Sequence, residues 1–186
     1  MGKAAFTVSF LFLLSGTSCQ TNPMQLSVTN GGTWGLWGDV ELCPPDSKAY
    51  GFSLKVEEAQ GGGDDTALNA IQLHCTGEED GIDSSTGEWG DWTAMRTCSS
   101  NGVLTSFSLR VEPPQHGGDD TAANNIKFRC STGEVIEGKG AIWGTYGEWS
   151  KECSHGICGL QTRVEDQQGI LDDTALNDVQ FLCCKR

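Results

Sequence analysis

The chain has 186 residues, with 25 Asp plus Glu against 12 Lys plus Arg and a formal charge of −13. So acidic a surface repels nucleic acid and anionic lipid, disfavours both as partners, and favours solubility and attraction to basic proteins. Low hydrophobicity with high charge also fits disorder, but the repeats and cysteines below argue for a fold.

Lys3, the apolar run from Phe6 to Leu14 and the small residues Gly16 to Cys19 have the layout of a cleavable secretory signal. The run is too short to span a bilayer. Residues 1–19 are therefore expected to be a leader and residues 20–186 one mature domain, secreted, extracellular and without a membrane span. Cleavage turns nine cysteines into eight, and an even number in an oxidising compartment reads as four disulfides. A zinc site has little support, because there is no C-x-x-C pair and His74, His116 and His155 show no ligand spacing. No metal and no cofactor is expected.

The rest of the chain reads as three copies of one unit, about 31–85, 86–140 and 141–186. The first opens with Trp34-Gly35-Leu36-Trp37 and then Cys43. Phe52, Leu54 and Val56 next alternate with Ser53, Lys55 and Glu57, and Gly61-Gly62-Gly63 leads into Asp64-Asp65-Thr66-Ala67-Leu68-Asn69. Ile71, Leu73 and Cys75 close it. The second copy has Trp89-Gly90-Asp91-Trp92, Cys98, then Phe107, Leu109 and Val111, and Asp119-Asp120-Thr121-Ala122-Ala123-Asn124 before Ile126, Phe128 and Cys130. In the third, Tyr146-Gly147-Glu148-Trp149 is aligned with the aromatic opening and Cys153 follows. Leu160-Gln161-Thr162-Arg163-Val164 stands where the others have their Phe-Ser-Leu core, and Asp172-Asp173-Thr174-Ala175-Leu176-Asn177 precedes Val179 and Cys183. The Asp doublets recur at offsets of 55 and 53 residues.

Alternation with a period of two predicts strands with one buried face, and the glycine runs predict turns. No amphipathic helix follows the leader. One copy cannot bury its apolar face alone, so an all-β architecture is expected in which three sheets face inward around a pseudo-threefold axis. A three-bladed propeller is the geometric alternative, but propellers use four or more blades.

The repeat also orders the cysteines. Cys43 to Cys75 and Cys98 to Cys130 are each 32 residues apart at matching places, which predicts Cys43–Cys75 and Cys98–Cys130. The third copy then gives Cys153–Cys183 and Cys158–Cys184, with the crossed pairs Cys153–Cys184 and Cys158–Cys183 left open. Adjacent strand residues point to opposite faces, so Cys183 and Cys184 do not share a partner without a bulge.

The W-G-x-W opening, the F-S-L-[KR]-V-E strand, the D-D-T-A-[LA]-N turn and the terminal Cys183-Cys184 together resemble the vitelline membrane outer layer protein I family. The resemblance spans the mature chain. It implies a type I β-prism of three four-stranded Greek-key sheets and secretion into extracellular coats or fluids. A lysozyme-like transferase activity on N-acetylchito-oligosaccharides has been proposed for the avian member, and the fold class includes carbohydrate-binding lectins.

Among candidate sites, the doublets Asp64 and Asp65, Asp119 and Asp120, and Asp172 and Asp173 could hold calcium or sugar hydroxyls. Their presence in every copy favours turn chemistry instead, with carboxylates and hydroxyls capping backbone N–H groups. Glu57, Glu112 and Glu165 could approach these doublets, yet a strand-edge hydrogen bond is the preferred role. Tryptophans in the repeated slots are expected in the core or at its rim, which leaves Trp143 as the function-specific aromatic for glycan contact. A retaining glycosyl transfer needs two carboxyl groups about 5–5.5 Å apart, and the acidic residues single out no catalytic pair.

Two functions follow. The first is a structural or interaction protein of an extracellular coat or mucosal secretion, weakly glycan-binding, partnered by matrix or secretion proteins of basic character and by oligosaccharide. The alternative is a lysozyme-like transglycosylase. The first is preferred, since the distinctive residues serve to make three sheets alike.

Overall fold

The structure is a computed structural model that describes residues 23–58, 67–113, 123–165 and 175–185. Among the described residues it forms strands and no helix. In chain order these are β1 (Gln25–Leu26), β2 (Leu36–Trp37), β3 (Glu41–Leu42), β4 (Ala49–Val56), β5 (Leu68–Cys75), β6 (Ile82–Asp83) and β7 (Asp91–Trp92). Then follow β8 (Arg96–Thr97), β9 (Leu104–Val111), β10 (Ala123–Cys130), β11 (Val135–Glu137), β12 (Thr145–Tyr146), β13 (Ile157–Val164) and β14 (Leu176–Cys183).

The alternating segments form the six long strands, paired as the hairpins β4–β5, β9–β10 and β13–β14. Each hairpin anchors an antiparallel sheet, with orders β6-β5-β4-β7, β11-β10-β9-β12 and β1-β14-β13-β2; β8 also pairs with β4 and β3 with β13. This is Greek-key order, in which the fourth strand returns to lie beside the first. The third sheet is completed by the N-terminal segment, with Gln25 opposite Leu182 and Trp37 opposite Arg163.

Sequence copies and sheets are therefore out of step. The aromatic opening of each copy docks on the sheet of the copy before it: Trp92 faces Lys55, Tyr146 faces Arg110, and Trp37 faces Arg163. A glycine makes each docking feasible. Gly35, Gly90 and Gly144 have φ of +79°, +84° and +69°, and a Cβ there would lie 2.2–2.4 Å from the carbonyl oxygens of Val164, Val56 and Val111. Only glycine tolerates both that conformation and that approach.

The structure contains Cys43–Cys75, Cys98–Cys130 and Cys153–Cys183. Each was expected to close a loop within its own copy's sheet, but each ties two sheets together. The amide of Cys98 donates to the Tyr50 carbonyl at 2.9 Å, on the first sheet, whereas Cys130 ends β10 of the second. Likewise the Cys153 amide donates to the Thr105 carbonyl and the Cys43 amide to the Cys158 carbonyl, while Cys183 and Cys75 end β14 and β5. The expected Cys158–Cys184 bridge is not formed: both cysteines are free and half-buried. Their side chains meet in a hydrogen bond, and burial, followed by the neighbouring Cys184, pushes the Cys158 thiol up to about 12.

All three sheets contribute to one core. The rings of Phe52 and Phe128 lie 4.8 Å apart, Phe107 and Phe181 4.8 Å, and Phe128 and Phe181 5.2 Å. These four side chains are fully buried, and tilted or edge-on contacts suit their ring quadrupoles. The divergent strand β13 places Thr162 at a buried site, where its hydroxyl donates to the Ser85 carbonyl at 2.6 Å. Its amide N–H donates to Ser84 Oγ at 3.2 Å, so a loop of the first sheet satisfies the polar substitution.

Candidate functional site

A cleft of about 950 Å³ has a mixed aromatic and acidic lining. One wall comes from the end of β4 and the chain beyond it, Val56, Glu57 and Glu58, with the β7 segment from Trp89 to Ala94. The other is the chain from Lys139 to Trp143, leading into β12. The docking glycines set its shape. Gly90 lies against the Val56 backbone at the end of β4 and Gly144 against the Val111 backbone at the end of β9, which fixes the backbone beside Trp89 and Trp143.

Trp89 is 46 % exposed, Trp92 43 % and Trp143 51 %. The core or core-rim placement expected for the repeated tryptophans is thus corrected for Trp34, Trp89 and Trp92, all exposed. The cause is the close docking at the glycine, which fixes the backbone and turns these rings away from the three-sheet core. Among the described residues, the carboxylates of Glu57, Glu58 and Asp91 share the lining with the cation of Lys139. Flat rings among hydrogen-bonding carboxylates can stack on sugar faces while binding their hydroxyls.

The structure also shifts the alignment of the third opening. The amides of Gly38, Thr93 and Gly147 donate to the carbonyls of Thr162, Leu54 and Leu109, which are equivalent positions. Trp37, Trp92 and Tyr146 are consequently counterparts, and so are Trp34, Trp89 and Trp143. Trp143 belongs to the repeat after all, and Trp149 occupies the slot of Val40 and Met95. Tryptophan spacing carried the signal, since Trp34, Trp89 and Trp143 are 55 and 54 residues apart.

Of the proposed contacts, Glu57 and Trp143 come together in the cleft. Glu112 and Glu165 do not line it and follow β9 and β13. The Glu57 and Glu165 amides donate to the Ala67 and Ala175 carbonyls at 2.9 and 2.8 Å, closing the mouths of their hairpins. The Asp64, Asp65, Asp119, Asp120, Asp172 and Asp173 side chains lie outside the described residues. Beside them, Asn69 is fully buried; its Oδ1 accepts the Trp89 amide N–H at 3.3 Å and its Nδ2 contacts the Ala67 carbonyl at 3.5 Å. This asparagine joins the hairpin to the docked aromatic segment. Sequence reasoning missed Glu58, Asp91 and Lys139, which no motif marks.

A second hollow of about 740 Å³ contains Pro44, Pro45, Lys48, His155, Cys158 and Cys184. Cys98, Cys130 and Glu134 present ligand atoms within 4.8 Å of one another, but both sulfurs are spent in a disulfide, so this trio is no metal centre.

Residues 24–186 match the family model described as vitelline membrane outer layer protein I. The chain is 50 % identical over 165 residues to the mouse vitelline membrane outer layer protein 1 homolog, covering 86 % of this chain and 82 % of the mouse protein. The human homolog is equally similar over 166 residues. In fold, the chain is similar to single-chain recombinant jacalin, with a TM-score of 0.58 at 11 % identity over 91 % of this chain and 100 % of the lectin. It is also similar to Calystegia sepium agglutinin, with a TM-score of 0.57 at 14 % identity over 87 % and 96 %.

Proposed function

The chain belongs to the vitelline membrane outer layer protein I family, and from that premise we propose that it is a secreted protein of an extracellular coat or mucosal secretion that holds glycan chains in the cleft of Trp89, Trp92 and Trp143. The observation that carries the glycan reading is the set of three exposed tryptophans on one acidic cleft. Stacking against flat rings accommodates many sugars with modest affinity, which suits attachment to a coat. Secretion is supported by the leader layout of residues 1–19 and by the three disulfides. The lectin-like fold is compatible with the reading but, at such low identity, speaks for architecture alone.

The test is titration of the full mature chain with N-acetylchito-oligosaccharides, read by tryptophan fluorescence. Saturable binding that Trp143→Ala weakens about tenfold is expected; no binding at millimolar sugar, or a Trp143→Ala protein that binds as before, defeats the proposal. The carboxylates Glu57, Glu58 and Asp91 on the same cleft are what favours glycosyl transfer as a second reading. Mass spectrometry of the same mixtures decides it, because a transferase makes longer and shorter oligomers whereas a binding protein returns them unchanged.

A further inference from the structure

The outward face of the second sheet differs from its two sisters. Arg110 on β9, Lys127 and Arg129 on β10, and the rings of Tyr146 and Trp149 form an alternating stack. The Arg110 guanidinium lies 4.9 Å from the Tyr146 ring centre and Lys127 Nζ 4.1 Å from it. Lys127 Nζ is 5.3 Å from the Trp149 ring centre and the Arg129 guanidinium 4.3 Å. Each cation is thus held in place by a ring face, an attraction that fixes long side chains without neutralising them. Glu137, opposite Lys127 across β10–β11, is the carboxylate within the stack, and its Oε1 accepts the Tyr146 hydroxyl at 2.8 Å.

Comparison of the sheets separates architecture from function. Arg110 has counterparts in Lys55 and Arg163. Lys55 Nζ donates to the Gly87 and Glu88 carbonyls and Arg163 Nε to the Gly35 carbonyl, so a cation at this place helps build every sheet. The next positions differ. Lys127 stands opposite Ser108, whereas the equivalent residues are Gln72 opposite Ser53 and Gln180 opposite Gln161. Arg129 has His74 and Leu182 as counterparts, and the slot of Trp149 holds Met95 and Val40. The first and third sheets stand without these charges and this ring, so their presence in the second is no demand of the fold.

We infer that this ladder is a docking surface for a sulfated polysaccharide, distinct from the tryptophan cleft. Charge complementarity selects the occupant. On a chain of net charge −13, cations gathered on one face offer a polyanion a local minimum, and guanidinium groups pair bidentately with sulfate oxygens. Lys127 and Arg129 are spaced roughly 6.6 Å along one strand face, so a linear chain can meet them in succession. The extracellular setting proposed above favours a sulfated polysaccharide over nucleic acid, the other polyanion that such cations attract.

The experiment uses the full mature chain at low salt with fluorescein-labelled heparin, the same chain after desulfation, and single-stranded DNA of matched length. Heparin is expected to bind, to weaken as salt rises, and to protect Lys127 from acetylation. The paired change Lys127→Gln and Arg129→His installs residues that the first sheet carries at the same places, so folding is expected to persist. It is expected to weaken heparin binding at least about tenfold with melting unchanged, while Trp143→Ala leaves that binding intact. Equal binding of desulfated chain or DNA, full affinity in the paired variant, or acetylation of Lys127 unaffected by heparin each overturns the inference.

Discussion

Asp178 and Asn125 make the same hydrogen bond in two different sheets: each Oδ1 accepts the amide N–H of the residue that follows it, from Val179 at 2.8 Å and Ile126 at 2.9 Å. Burial pushes the Asp178 carboxyl up to about 6, against the opposing pull of that amide and of Arg163. The folded state therefore holds this proton more firmly than an unfolded chain, where a carboxyl titrates near 3.9. Its stabilising effect is complete below about pH 4 and is lost as pH rises through about 6. Asp178→Asn, which installs the residue of the second sheet, is expected to raise stability at pH 7 by about 1–2 kcal/mol, discounted for partial solvation. Urea melts at pH 7 and pH 4 check it, and the gain must vanish at the lower pH.

Gly90→Ala is expected to destabilise by about 2–4 kcal/mol, because the left-handed backbone and the contact with Val56 penalise a Cβ together. The urea midpoint is expected to fall with an unchanged slope. A variant as stable as the parent would mean that the aromatic segment does not dock as described.

Cys158 and Cys184 already touch as thiols. In protein recovered from an oxidising secretory route they are expected to close a fourth bridge, giving no alkylation before reduction. The chain-entropy model assigns such a loop about 3 kcal/mol. Double substitution to serine would then lower the melting temperature, and labelling of either cysteine before reduction would refute the bridge.

Replacing Asp64 and Asp65 with Asn is expected to lower thermal stability more than it lowers glycan or calcium binding. Ala67, within the motif, holds φ of +54°, a conformation that costs roughly 1–2 kcal/mol and needs a supporting turn. Melting curves and calcium titration separate the two roles; unchanged melting with lost binding would reverse the assignment.

Strand identity was legible because alternation leaves little choice: Phe52, Leu54 and Val56 must share a face. The Phe-rich core follows from the same positions. The offset between copies and sheets was not legible, since a period gives the length of a unit but not where one sheet ends and the next begins. Two aromatic-Gly-x-aromatic strings overlap around Tyr146 in the sequence, and only tertiary pairing, Tyr146 with Arg110 and the Gly147 amide with the Leu109 carbonyl, distinguishes them. In the cleft, Glu57 and Trp143 carried a sequence signal, whereas Asp91 and Lys139 reach it through tertiary docking that no local pattern encodes.

The pairing of β1 with β14 has a consequence for the order of events during synthesis. β1 leaves the ribosome long before its partner β14, so the opening segment waits, with its hydrogen-bonding edge unfilled, until all three hairpins have been made. While it waits, the third hairpin of a neighbouring molecule offers the same edge. Two chains made side by side can therefore exchange their leading segments, and their local concentration is expected to set how often such swapped pairs arise.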